Sequence, residues 1–238
     1  LAVVHHRDAV REDVHDGEVV ADEQARELEL LLQLLEDGRV RPPRRLGLEN
    51  VPGFPGSRAH GRLRAVLRAL DYDVCELERC PTELGVPMVR RRYYLLADRE
   101  AEVAQPPAPV AHRPLSDALD EGVTRGTHPE LYASDEVLER YGTNLPTVDP
   151  AAPDAVAHCF TGAYGRSPVY SGSWLVTDDG LRLLLPEEIA RLLGFPHTFR
   201  VSVPKRAKGW KLVGNALSVD VVRSLIAPWY DGAARSQA

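Results

Sequence analysis

Leucine spacing in the last third of the chain gives the clearest helical signal. Ile189, Leu192 and Leu193 recur on one helical face behind Glu187 and Glu188. Pro186 suits a first helical position, whose N–H has no helical partner anyway, and the two glutamates sit where the helix dipole favours negative charge. Gly194 is placed to end that helix in the left-handed conformation. Residues 181–226 then read as helix, turn, basic loop, tight Gly214-Asn215 turn and helix.

Upstream, Asp22 is an N-cap signal for a helix to Asp37, with Leu28, Leu31, Leu32 and Leu35 as its apolar stripe and Gly38 as its stop. The run Leu46 to Val51 predicts a short buried strand entering a turn at Pro52-Gly53-Phe54. Arg58 to Leu70 follows as a helix, with Leu63, Val66, Leu67 and Leu70 inward. Strands are predicted at Tyr72 to Glu78 and Arg90 to Ala97, and alternation puts Arg90 and Arg92 on one face and Arg91 on the other. Strands alternating with helices predict an α/β architecture. The Pro-rich stretch 101–114 is a linker signal, and beyond it lies a smaller mixed lobe with a helix from Ser134 to Tyr141. The predicted division is a flexible acidic terminus (1–21), a sheet domain (22–100), the linker (101–114), a small second lobe (115–180) and C-terminal helices returning to the sheet domain (181–230).

Composition narrows the classes. No apolar run is long enough to cross a membrane and no signal peptide is visible, which predicts a cytoplasmic protein, or a nuclear one in a eukaryote. Cys75, Cys80 and Cys159 are an odd set without metal-ligand spacing, as in a reduced compartment. Histidines and acids in 1–21 (His5, His6, Asp8, His15) admit a metal site, but scattered side chains on an acidic terminus are the commoner arrangement, so no metal is predicted. The net charge is −6, so contact with nucleic acid must come from a local patch. Arg200, Lys205, Arg206 and Lys208, with Lys211, form such a patch and are candidate phosphate contacts.

Candidate chemistry begins at Glu49-Asn50. An acid and an amide at the C-terminal end of a buried strand are costly without partners, and in open α/β sheets that end is where ligands bind. Several segments together resemble the S-adenosylmethionine-dependent cytosine-5 methyltransferases: Glu49-Asn50-Val51 with Gly53-Phe54, Gly85-Val86-Pro87 followed by Arg90-x-Arg92, Glu187-Glu188-Ile189 with Leu193-Gly194-Phe195-Pro196, and Gly214-Asn215-Ala216 before an apolar helix. Cys159-Phe160-Thr161-Gly162-Ala163-Tyr164-Gly165 resembles the signature of the tRNA-aspartate branch. The resemblance runs from about Asp22 to Ile226. Met88 and Val89 depart from it, since the family usually has Gln or Asn just before its Arg-x-Arg.

The resemblance implies the C-terminal half of a class I (Rossmann-like) methyltransferase sheet with a small mixed recognition lobe. It implies Glu49 as the carboxyl group at the cytosine ring, Arg90 and Arg92 holding the base and the active-site loop, and Gly214 and Asn215 beside the cofactor, S-adenosylmethionine. Cys159 reads as a small buried core residue within a family marker. The family's reaction needs a cysteine thiolate from a Pro-Cys motif upstream of Glu49, because the thiol is a poor nucleophile. This sequence has no Pro-Cys dipeptide, no cysteine before Cys75 and no Gly-rich cofactor loop. It therefore reads as the C-terminal two-thirds of an enzyme, inactive alone: either the chain is truncated or a second polypeptide supplies the missing half. The Leu46 to Val51 strand is then expected to be an open edge that invites pairing. The first reading is methylation of cytosine in tRNA. The alternatives are a DNA cytosine-5 methyltransferase and a non-catalytic RNA-binding or regulatory subunit.

Overall fold

Four strands form the main sheet of the computed structural model, which describes residues 2–5, 30–103 and 112–235. They are β1 (Ala2–His5), β2 (Arg45–Asn50), β3 (Asp73–Arg79) and β4 (Arg92–Asp98), in the order β1-β2-β4-β3. β1 runs parallel to β2, with Val4 opposite Leu48 and His5 opposite Glu49. β4 is antiparallel to both its neighbours, pairing Glu49 with Tyr94 and Leu77 with Tyr94. Every residue of β4 is buried, as expected of a central strand covered on both faces.

Two expectations need correction. Residues Ala2–His5 are a strand and not part of a flexible terminus, and they pair with Leu46 to Glu49, so that edge of β2 is not open. The other residues of the 1–21 segment, with their histidines and acids, lie outside the described residues, as do Asp22, Leu28 and the centre of the Pro-rich linker.

Helices cover this sheet because their apolar stripes require it. α1 (residues 30–36) buries Leu32 and Leu35 and leaves Leu30 exposed. α2 (Arg58–Ala69) starts at Ser57, whose hydroxyl accepts the His60 amide at 3.1 Å, and buries Leu63, Val66 and Leu67. Each such side chain contributes about 1.5–3 kcal/mol when fully buried. With Leu46, Leu48, Tyr93, Leu95 and Phe54 they form one core. β2 also carries Arg45, which bonds Asp98 at 2.8 Å and the Trp229 carbonyl at 2.7 Å.

The smaller sheet has the order β5-β6-β7, from β5 (Thr147–Val148), β6 (Trp174–Thr177) and β7 (Gly180–Arg182). α3 (Asp135–Tyr141) is capped by Ser134, α4 spans Pro186–Leu192, α5 spans Arg206–Gly214 and α6 spans Val219–Arg235. A second core joins Met88, Leu115, Leu131, Phe160, Tyr164, Leu175, Leu184, Ile189 and Trp210. α5 corrects the predicted basic loop. Arg206, Lys208 and Lys211 are helical, Gly214 is the last helical residue and Asn215 is its C-cap.

The chain divides into two compact units. One comprises Leu1–Arg79, Arg91–Pro107 and Arg223–Ala238, the other Cys80–Arg90 and Ala108–Val222. The division differs from the predicted one: α4, α5 and the start of α6 belong with the second unit, and only the chain from Arg223 returns to the sheet. The second core explains this, since Ile189, Leu192, Trp210 and Val213 pack with Leu131, Phe160 and Leu184. No helix among the described residues is long and apolar enough to cross a membrane.

Candidate active site

In the sheet unit the predicted residues Glu49 and Arg92 come together. Glu49, next to last in β2, is on the same face as Arg92 of β4, and Arg92 Nε stands 3.4 Å from Glu49 Oε1. Both side chains are buried, 2 % and 7 % exposed, so each charge is stabilised chiefly by the protein and little by water. Arg92 also donates to the Arg91 carbonyl at 2.8 Å. Asn50 is buried as well, and its Oδ1 accepts the Val51 amide at 2.8 Å, closing the turn after the strand. Beside this strand Tyr93 donates to Glu76 Oε2 at 2.7 Å, and His60 and Arg64 hold the same carboxylate. Burial pushes the Tyr93 hydroxyl well above its ordinary range, and Glu76 adds to this. No sequence signal marked that cluster, because its members come from one helix and two strands.

Arg90 lies in the other unit and just before β4, which begins at Arg92 and not at Arg90 as predicted; Arg90 is buried and Arg91 exposed. Its guanidinium donates to Phe160 O at 3.1 Å, Gly214 O at 3.2 Å and Ala216 O at 2.9 Å, and Nη1 lies 3.6 Å from Cys159 Sγ. Its backbone amide donates to Cys80 Sγ at 3.4 Å. Arg90 thus joins Gly214 and the signature loop, and Cys159 is half-buried beside it and not sealed in a core. Gly214 has a packing reason to be glycine: a Cβ there would overlap the Thr161 carbonyl and the Gly162 amide. Asn215 is half-exposed, with its amide against Gly162.

The signature aromatic residues are internal. Tyr164 meets Phe160 edge-on at 4.9 Å and Trp210 at 5.5 Å, and its hydroxyl donates to Ser173 O at 2.7 Å. Burial drives the Tyr164 hydroxyl far above the ordinary tyrosine range. Glu187 accepts the Val201 amide at 3.2 Å. Glu188 is fully buried in a two-pronged pair with Arg182, both contacts at 2.9 Å, and accepts the Leu185 and Asp120 amides. Sequence reading placed Glu188 near a helix dipole and missed Arg182, which lies on a neighbouring strand.

The basic patch is less uniform than its sequence suggests. Arg206 pairs with Glu130 at 2.7 Å, and Arg200 bonds the carbonyls of its own turn at His197 and Phe199. Lys205 and Lys208 are exposed. Burial, with Asp73 and Glu76 nearby, pushes the Cys75 thiol up and makes it a poor source of thiolate. Among the described residues no group of three His, Cys, Asp or Glu could hold a metal ion.

Residues 130–229 match the family model of the C-5 cytosine-specific DNA methylases. The chain is 28% identical over 215 residues to a tRNA (cytosine(38)-C(5))-methyltransferase of Schizosaccharomyces pombe, covering 78% of this chain and 63% of that protein. It is 26% identical over 193 residues to the Type II methyltransferase M.MspI of Moraxella sp, covering 76% of this chain and 44% of that protein. It therefore spans less than two thirds of the length of these relatives. Its fold is that of solved methyltransferases: EhMeth of Entamoeba histolytica (TM-score 0.78, 18% identity, 96% of this chain and 76% of that one) and the S. pombe Dnmt2 methyltransferase (TM-score 0.69, 24% identity, 84% and 72%). The α/β arrangement is that of a partial Rossmann-like methyltransferase domain. The chain thus carries a C-5 cytosine-specific DNA methylase match over residues 130–229 and resembles the cytosine-5 methyltransferases in both sequence and fold.

Proposed function

We propose that this chain is part of an S-adenosylmethionine-dependent cytosine-5 methyltransferase that acts on tRNA. The observation that carries this reading is the buried Glu49–Arg92 pair at the C-terminal end of β2. A carboxyl group held there can hydrogen-bond the ring nitrogen of a cytosine taken out of its stack, which makes the ring an electron sink for attack at carbon 6. Arg92 fixes the carboxyl orientation. Lys205 and Lys208 are the exposed cations of the basic patch and would meet phosphates, with Arg200 and Arg206 beside them.

S-adenosylmethionine would supply the methyl group. The half-exposed Asn215 amide offers a donor and an acceptor suited to its polar end, so Asn215 is the residue that fits. Gly214 does not offer an open cradle, since Thr161 and Gly162 fill the space where its Cβ would be. Its part is to place Asn215. Without a Gly-rich loop the chain alone binds the cofactor weakly or not at all, and tight binding by calorimetry would contradict this.

The nucleophile comes from a segment outside residues 1–238, carried on the same protein or on a second polypeptide. None of Cys75, Cys80 and Cys159 follows a proline. The tRNA reading is favoured by the Cys159 to Gly165 signature and by the S. pombe tRNA methyltransferase similarity. The second reading, duplex DNA, rests on the likeness to M.MspI. The test is transfer of labelled methyl to tRNA and to duplex DNA, with the chain alone and with a segment bearing Pro-Cys and the Gly-rich loop. The expected result is no transfer alone and transfer to tRNA on complementation. Transfer to duplex DNA only would overturn the tRNA reading.

A further inference from the structure

We infer that Arg90 is a positioning residue that fastens the Cys159 to Gly165 loop to the Gly214-Asn215 turn, so that these two segments move as one. Arg90 is 3 % exposed, and its two terminal guanidinium nitrogens divide their bonds between segments. Nη1 serves Phe160 O and reaches Cys159 Sγ, and Nη2 serves Gly214 O and Ala216 O. A planar fork can address carbonyls from two segments at once, and an ammonium is a compact point charge that cannot span them in the same way.

The fastened surfaces are in backbone contact. The space for a Cβ on Gly214 is taken by Thr161 and Gly162, and a Cβ on Gly162 would stand 3.4 Å from Asn215 Oδ1. On its other side the loop is anchored independently. Thr161 Oγ1 is 2.8 Å from Ser171 Oγ, the Thr161 amide donates to the same hydroxyl at 3.2 Å, and the Gly172 amide donates to Cys159 O at 2.9 Å. Loss of the Arg90 fork should therefore free the face toward Asn215 while the rest of the loop stays in place. The heptapeptide on this account buttresses the Gly-Asn turn and does not itself read a target nucleotide. The consequence for cofactor placement rests on the function proposed above. The fastening does not.

The test uses the whole chain with Arg90→Met and Arg90→Lys. Alkylation is followed peptide by peptide at Cys159 against Cys75, with amide hydrogen exchange measured in parallel. Both variants should raise Cys159 alkylation and exchange in 159–165 and 214–217 by at least about tenfold, while amides of β2 and β4 keep wild-type protection. Wild-type rates in Arg90→Met would overturn the inference. So would restoration by lysine, because charge alone would then suffice. Should both variants unfold, Gly214→Ala tests the same linkage with Arg90 intact. It should raise exchange in both segments together, and a rise confined to 214–217 would refute the coupling. None of these readouts needs cofactor or nucleic acid, so a failure to methylate tRNA would not touch them.

Discussion

Arg92 Nε lies 3.4 Å from Glu49 Oε1, and neither side chain is more than 7 % exposed. Removing one member of such a pair leaves a buried charge without its counter-ion. Arg92→Ala should therefore lower the stability of the sheet unit by about 3–5 kcal/mol, read from the urea midpoint at constant slope. Arg91→Ala, at an exposed neighbour, should stay within about 0.5 kcal/mol of wild type.

Glu188 is the counterpart in the other unit. It is 0 % exposed, takes both prongs of Arg182 and also receives the Leu185 and Asp120 amides. Glu188→Ala strands a guanidinium and two amides and should cost about 3–5 kcal/mol by thermal unfolding. A loss below about 1 kcal/mol would mean that water reaches the pair.

Gly214→Ala should be costlier than an ordinary surface helix substitution. Elsewhere Ala in place of Gly favours a helix, but here the added methyl meets the Thr161–Gly162 backbone. Overpacking of this kind costs about 1–3 kcal/mol, and the melting temperature should fall. A rise would show that the loop yields freely.

Acid should destabilise the sheet unit through two carboxylates. Burial alone would push Asp98 up, but its hydrogen bonds from Arg45 and the Glu100 amide, with Arg44 nearby, hold it below the ordinary carboxylate range. Burial likewise opposes, and Tyr93, His60 and Arg64 outweigh, at Glu76, which is also held low. A depressed folded pKa gives stability that is present above the unfolded value, about 4, and is lost as pH falls through the folded value. Stability should thus drop below about pH 4, and Arg45→Ala should shift the acid midpoint upward by removing a cause of the depression at Asp98.

Much of this was legible in the sequence because it is local. The Leu63, Val66 and Leu67 stripe, the helix ending at Tyr141, the Gly194 stop and the buried Glu49 strand each depend on residues a few positions apart. What escaped depends on distant partners. The pairing of Ala2–His5 with β2 joins segments far apart in the chain, and no periodicity in so short a run announces it. Positive charge at Arg206, Lys208 and Lys211 suggested a loop, yet Trp210 and Val213 between and beyond them pack into the second core and make a helix. Arg90 looked like a substrate contact because it shares a motif with Arg92. Its actual hydrogen bonds run to carbonyls at Phe160, Gly214 and Ala216, which only the fold brings near.

The most direct measurement is the rate of methyl transfer to tRNA by the chain complemented with a Pro-Cys and Gly-rich segment, comparing wild type with Glu49→Gln. If Glu49 is the carboxyl group at the cytosine ring, the rate should fall by about 10²–10⁴-fold while tRNA binding holds, at a temperature where both proteins are folded. A wild-type rate in Glu49→Gln would contradict the assignment of this site.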